Sequence, residues 1–482
     1  MKIPFFPEQI LERMRFENPW WETGLIEEYY SLLTRRAYYP RLFALIHDRT
    51  VQRAVVLMGP RRVGKTVLLF HCIQGLIEQG ISPKKICYIS VETPIYNGIS
   101  LEELLQFYLN ASGNSADSEL FLIFDEIQYL KNWELHLKSL VDSYKKIKFI
   151  VSGSAAAALK LKSTESGAGR FTDFVLPPLT FQEYLLLKKI DISIIEDTER
   201  SSGYEERLFY STNDIETLNR HFIDYINFGG YPEVSLSTTI QSDPGRYIRN
   251  DIIDKVLLRD LPLLYGIEDI QELNSLFTYI AYNTGCEMSL ESIASSSGVS
   301  KNTIKKYIGY LEAAFLITIV NRVDQTGKKF KRANFFKIYL TNPSLRCALF
   351  SPIKEGDALM GNLIETAIFS QWQHSVYPLY YARWQNGEVD IVYLDNEQRP
   401  KWMVEIKWSN KSISDHSQLK NLIHFGHLHN MKSATITTID TSASTEISGL
   451  LFDFIPSSLY CYTVGKNLIL YKNPIGKEIT RL

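Results

Sequence analysis

AVVLMGPRRVGKTVLLF, Ala54 to Phe70, runs from five apolar residues through a glycine-bracketed loop into a helical pattern. The first five residues read as a fully buried strand, and Val67 to Gln79 as a helix stopped by Gly80. Between them, Gly59 to Thr66 match G-x-x-x-x-G-K-[ST] without departure. Such a loop wraps phosphates with successive backbone N–H groups, and glycine permits the angles this needs. The helix that follows points its positive dipole end at the anion. The spacing predicts that Gly59, Pro60, Arg61, Arg62, Val63, Gly64, Lys65, Thr66 and Val67 hold the phosphates of ATP. Lys65 would reach the β- and γ-phosphates, and Thr66 would ligand Mg²⁺. The alternative is a glycine-rich turn with an exposed lysine, which the strand-loop-helix context disfavours.

Working outward, Ile86 to Val91, Leu120 to Phe124, Phe149 to Val151 and Phe174 to Leu176 are further short apolar runs separated by helical patterns such as Glu134 to Tyr144. Strands apolar on both faces predict a parallel sheet covered on both sides. The run Leu120 to Phe124 ends in Asp125-Glu126, at the carboxyl end of a strand, where ligands of such sheets bind. Asp125 would hold Mg²⁺ through water, and Glu126 would orient or deprotonate the attacking water. Ser152-Gly153-Ser154 ends the next strand. Ser154 would contact the γ-phosphate or the water, or else cap the segment Ala155 to Leu161. Arg170 would serve as an arginine finger, in trans in a homo-oligomer, or else form a local ion pair.

The 482 residues suggest two to four domains. An apolar content of 45% and a charged content of 22% fit a globular chain. The net charge of -2 excludes a globally basic protein, so nucleic-acid contacts must come from local patches. Cys72, Cys87, Cys286, Cys347 and Cys461 share no CxxC or CxxH spacing and read as buried free thiols in a reducing compartment. The start MKIPFFPEQI is not a signal peptide and no stretch is long enough to span a bilayer, so no membrane role and a cytoplasmic location are expected.

Residues 289–311, SLESIASSSGVSKNTIKKYIGYL, read as a helix-turn-helix. Ala294 is small where the helices cross, Gly298 turns the chain, Val299 plugs the core and Ser300 caps the second helix. Ile304, Ile308 and Leu311 make its inward stripe. Outward lie Lys301, Asn302, Lys305 and Lys306, donors suited to DNA phosphates and base edges. Leu316 to Arg322 and Phe335 to Leu340 would form a wing hairpin with the basic tip Lys328, Lys329, Lys331 and Arg332. A protein-interaction module or a solvated lysine face is the alternative.

Farther on, Asp390 opens the strand Ile391 to Leu394, and Glu405 and Lys407 flank Ile406 at the end of Trp402 to Ile406. Strand alternation puts Glu405 and Lys407 on one face. Glu365 lies in the helical stretch Met360 to Gln371. His416, His424, His427 and His429 read as surface residues.

NPWW (Asn18 to Trp21), GPRRVGKT, FDEIQ (Phe124 to Gln128), SGS (Ser152 to Ser154), PPLTFQEYL (Pro177 to Leu185), GGYPEV (Gly229 to Val234) and RDL (Arg259 to Leu261) resemble a prokaryotic AAA-type P-loop ATPase family. The C-terminal half of that family is a domain of unknown function. The later constellation resembles the PD-(D/E)xK nucleases, with Val389 where the family name has proline. These resemblances imply an α/β multidomain chain: a RecA/AAA-like core, a winged helix-turn-helix and a restriction-endonuclease-like domain. Glu365, Asp390 and Glu405 would bind Mg²⁺ and Lys407 would stabilise phosphate charge. The expected divisions are 1–50, a helical lead-in; 51–185, the ATPase core; 186–265, a helical lid; 266–342, the winged helix; and 343–482, the nuclease-like domain. ATP hydrolysis coupled to DNA binding and cleavage is then expected. A nucleotide-driven switch that binds DNA or protein without cutting is the rival. A small-molecule phosphotransferase is a weaker one, because it leaves the helix-turn-helix without a role.

Overall fold

The computed structural model describes residues 7–153, 169–202, 205–328, 335–375 and 377–470. The chain divides into two compact units, Met1–Pro177 and Pro178–Leu482.

The first unit is built on five parallel strands. They are β1 (Ala54–Met58), β2 (Ile86–Ser90), β3 (Leu120–Asp125), β4 (Ile147–Gly153) and β5 (Phe171–Val175), in the order β2-β3-β4-β1-β5. Every residue of β1, β3 and β4 is buried, the pattern of a sheet covered on both faces. The apolar runs predicted all five strands to within a few residues. The loop helix starts at Lys65, two residues before the apolar pattern does, and ends at Glu78. Gly80 lies just beyond in a left-handed conformation, φ +85°. The order puts β4 between β1 and β3, so Ser152 sits between the loop after β1 and the acidic end of β3.

The N-terminal segment belongs to this unit. Trp20 and Trp21 are buried, and both indole N–H groups donate to the Ile86 carbonyl, at 3.1 and 2.7 Å. The aromatic cluster therefore packs on the sheet of its own unit.

The second unit opens with helix Phe181–Leu187 and the antiparallel pair β6 (Ile195–Ser202) and β7 (Glu205–Thr212), where the sequence reads as a polar interruption among helices. Its main sheet has nine strands: β8 (Glu287–Ser289), β9 (Ile317–Val323), β10 (Phe335–Leu340), β11 (Leu379–Trp384), β12 (Gly387–Leu394), β13 (Pro400–Glu405), β14 (Ser433–Thr438), β15 (Ala443–Ile447) and β16 (Leu450–Pro456). Their order is β15-β16-β14-β13-β12-β11-β9-β10-β8. Helices Leu290–Ser297 and Lys301–Ala313 stand between β8 and β9. β10 pairs antiparallel with both β8 and β9. A short parallel pairing of β9 with β11, Asn321 to Tyr380 through Val323 to Ala382, joins this hairpin to the later strands as one sheet. Alternation along β11 sends Tyr381 into one core and Tyr380 and Ala382 into another.

Two local expectations need correction. Val299 is half-buried rather than a core plug, because it lies in the turn itself, after Gly298 at φ +73°. Cys286 is exposed, since it follows Gly285, φ +80°, at the entry to β8. The other four cysteines are buried and free.

Candidate functional site

The loop after β1 starts at a glycine where a side chain would clash with backbone. A Cβ on Gly59 would lie 2.2 Å from the carbonyl oxygen of Leu176. At the other end Gly64 has φ +93° and caps the helix that begins at Lys65. The guanidinium of Arg36 backs the loop, donating to the Val63 carbonyl at 2.6 Å and to the Pro177 carbonyl at 3.1 Å. Lys65 is buried, and its ammonium donates to the carbonyls of Gly59 at 3.1 Å and Pro60 at 2.8 Å. Its charge thus sits inside the loop that bends around it.

Asp125, 1% exposed at the end of β3, receives donors on both oxygens. The Thr66 hydroxyl donates to Oδ2 at 2.7 Å and the Tyr88 hydroxyl to the same oxygen at 2.8 Å. Oδ1 receives the Ser152 hydroxyl and the Glu126 N–H, the latter at 3.0 Å. The residue pairs the sequence singles out, Thr66 and Asp125, are therefore in direct contact. Hard oxygen donors at a buried strand end fit magnesium. Glu126 is half-buried and left-handed, φ +54°, a conformation that costs about 1–3 kcal/mol and concentrates at functional sites. Its carboxylate accepts from the Gln128 amide. Arg170 pairs with Asp142 at 3.2 Å, both about two-fifths exposed. Ser154 lies outside the described residues. Ser152 occupies the position next to Asp125.

The second unit gathers a charged cluster. Asp390 Oδ2 accepts the Ile406 N–H at 2.8 Å, and Lys407 meets Glu405 at 2.7 Å. Ile406 is buried in the core, as alternation requires. Glu365, on helix Met360–Gln371, accepts from Tyr339 at 2.5 Å and from Lys337 at 2.8 Å. Lys337 also meets Glu388 at 2.7 Å and Asp390 at 3.8 Å. A bulge makes this convergence. Tyr380 pairs with Val392 and Ala382 with Val389, so Asp390 and Ile391 together oppose Tyr381. Burial pushes Glu365 up to about 7 and Glu405 up to about 8, against the pull of Lys337 and Lys407. Glu405 Oε2 is buried with no hydrogen-bond partner among the described residues. Sequence reasoning missed Lys337 and Tyr339, which no pattern in the sequence marks, and gave no role to Glu388 although it stands in the same GEVD run as Asp390.

Among the described residues, no three His, Cys, Asp or Glu side chains converge on one ion position. The Lys337 ammonium stands among Glu365, Glu388 and Asp390 instead.

On the helix-turn-helix, Ser300 caps the second helix through the Thr303 N–H, and Ile304, Ile308 and Leu311 are buried. Lys301, Asn302, Lys305 and Lys306 are exposed, and Lys301 pairs with Glu291 at 2.7 Å. Lys328 is exposed beside Gly327. Lys329, Lys331 and Arg332 lie outside the described residues.

Comparison with known proteins agrees with the loop geometry. Residues 51–185 match the family model of an AAA domain. This stretch is an AAA-type P-loop domain. Residues 219–355 match a domain of unknown function (DUF8612). An uncharacterized protein of Haemophilus influenzae is 24% identical over 367 residues, 75% of this chain and 84% of that protein. An uncharacterized protein of Methanocaldococcus jannaschii is 26% identical over 367 residues, 74% of this chain and 76% of its own. Among the described residues, no helix is long and apolar enough to cross a membrane.

Proposed function

We propose that the AAA domain hydrolyses Mg-ATP and that hydrolysis drives a second unit that binds DNA. The observation that carries the first half is the Thr66–Asp125 contact, which joins the loop helix to the acidic strand end. Thr66 and Asp125 would hold the magnesium ion, which supplies charge neutralisation to the phosphates. The loop amides cradle the triphosphate, and Lys65 exchanges the carbonyls of Gly59 and Pro60 for phosphate oxygens. Glu126 takes a proton from the attacking water. The new oxygen–phosphorus bond forms as the bridging bond to ADP breaks. Lys65→Ala should abolish phosphate release from ATP. Undiminished release in that variant would sink the assignment.

DNA binding rests on the order of elements between Ile270 and Leu340. A capped second helix carries four exposed donors, and β9 and β10 form a hairpin behind it. A winged helix orders its elements in this way, and that order supports the reading. Lys305→Ala and Lys306→Ala should each weaken binding to a duplex and lower the slope of log affinity against log salt by about one. An unchanged slope counts against the reading.

Cutting is a separate matter. The reading taken here is binding without cleavage, because the Lys337 ammonium stands among Glu365, Glu388 and Asp390 and offsets their charge. Magnesium-dependent nicking lost in Glu405→Ala and Lys407→Ala would overturn that preference.

A further inference from the structure

We propose that Tyr88 is a positioning residue of the nucleotide site, its hydroxyl fixing the Asp125 carboxylate for the metal–nucleotide complex. The inference rests on the ATPase reading above and adds a group that motif reading does not reach.

β2 is an edge strand, and three of its four other residues, Ile86, Cys87 and Ile89, are buried and apolar, while Ser90 ends it half-buried. A phenylalanine would suit position 88 as well as they suit theirs. A tyrosine stands there, 6% exposed, with its hydroxyl 2.8 Å from Asp125 Oδ2. The placement of that hydroxyl is over-determined. Asn18 clamps the Tyr88 backbone from both sides, accepting from its N–H at 2.6 Å and donating to its carbonyl at 2.8 Å. The ring packs on Phe70 of the loop helix, centroids 4.9 Å apart, and Phe70 stacks in turn on Tyr30 at 4.1 Å. The loop helix, the N-terminal segment and β2 thus converge on one O–H bond.

Asp125 Oδ2 has two donors, and they differ in what binding asks of them. Thr66 must turn its oxygen to magnesium when the nucleotide binds, as the loop motif requires. Tyr88 has no such second task. It remains on Oδ2 and keeps the carboxylate from rotating while Thr66 changes partner. A hydrogen bond to a charged group is worth enough to change an equilibrium about tenfold or more.

The test is a magnesium titration of the binding of a fluorescent N-methylanthraniloyl ATP. For wild type, magnesium tightens binding over its affinity in EDTA. Tyr88→Phe should match wild type in EDTA and need about tenfold more magnesium for half-maximal tightening. Equal magnesium midpoints for the two proteins overturn the assignment. Loss of nucleotide binding in EDTA by both Tyr88→Phe and Tyr88→Met also overturns it, since Tyr88 would then serve packing alone. Lys65→Ala, run in the same titration, separates the two levels of the argument. Wild-type affinity in that variant means the P-loop reading has failed, and the role of Tyr88 falls with it. Reduced affinity in Lys65→Ala alongside equal midpoints for Tyr88→Phe and wild type means that only the tyrosine assignment has failed.

Discussion

Lys337 is 5% exposed in its side chain and meets three carboxylates, two of them within 2.8 Å. A buried ion pair adds little net stability, but removing one partner strands the others. Lys337→Met should therefore cost the second unit about 3–5 kcal/mol, read by denaturant unfolding. A loss below about 1 kcal/mol would mean the carboxylates have another source of charge. The same cluster sets a pH dependence. In the fold Glu365 titrates near 7 and Glu405 near 8, against 4.5 for an ordinary glutamate. An acid whose folded value is raised binds its proton more tightly in the fold than in the unfolded chain. The contribution of these two groups to stability is then fully present below about pH 4.5 and is lost as pH rises through the two folded values. Asp390, Glu388 and Lys407 face Glu405, and the raised value of Lys407 keeps it charged throughout this window. Glu405→Gln should flatten the fall in melting temperature between pH 7 and pH 8.5. A slope equal to wild type would place the titration elsewhere. At this scale the P-loop was legible because its parts are contiguous in sequence. Lys337 and Tyr88 were not, because they come from strands that meet Asp390 and Asp125 only after folding.

The segment Asn18 to Trp21 explains how an exposed sheet edge is closed. β2 ends the five-strand sheet and would present unpaired backbone groups to other chains. Asn18 imitates a neighbouring strand with one side chain, and Trp20 and Trp21 share the Ile86 carbonyl. Asn18→Leu leaves the buried N–H and C=O of Tyr88 unsatisfied, at a cost of about 2–4 kcal/mol for the pair. The measurement is thermal unfolding, with aggregation followed alongside. A variant as stable and as soluble as wild type would mean water replaces the amide. Elements were legible where apolar period and length agree, as in β1, β3 and helix Met360–Gln371. The β9–β11 pairing was not. It rests on backbone hydrogen bonds between segments about sixty residues apart, which no side-chain pattern records. The bulge at Asp390 is equally silent, since GEVD reads as plain alternation until β11 is laid beside it. GGYPEV has a packing cause: a Cβ on Gly230 would meet the Asn342 side chain at 2.5 Å.

Over the whole molecule, each unit carries its own sheet, and among the described residues two apolar clusters pack on the nine strands of the second. A chain so divided departs from single-transition unfolding. Calorimetry should resolve two transitions rather than one. A ligand that binds only the folded form raises the midpoint of the unit that holds it, by an amount set by its concentration over its dissociation constant. At a hundredfold excess that is about 2.7 kcal/mol. Mg-ADP should therefore move the transition of residues 1–177, because Gly59, Lys65, Thr66 and Asp125 all lie there. Duplex DNA should move the other, because Lys305 and Lys306 lie in residues 178–482. Each transition is assigned by its own lesion: Asn18→Leu lowers the first, and Lys337→Met lowers the second. Lys65→Ala should cancel the nucleotide shift and leave the DNA shift in place. A nucleotide shift confined to the transition that Lys337→Met lowers would put the nucleotide in the wrong unit and remove the basis of the whole proposal.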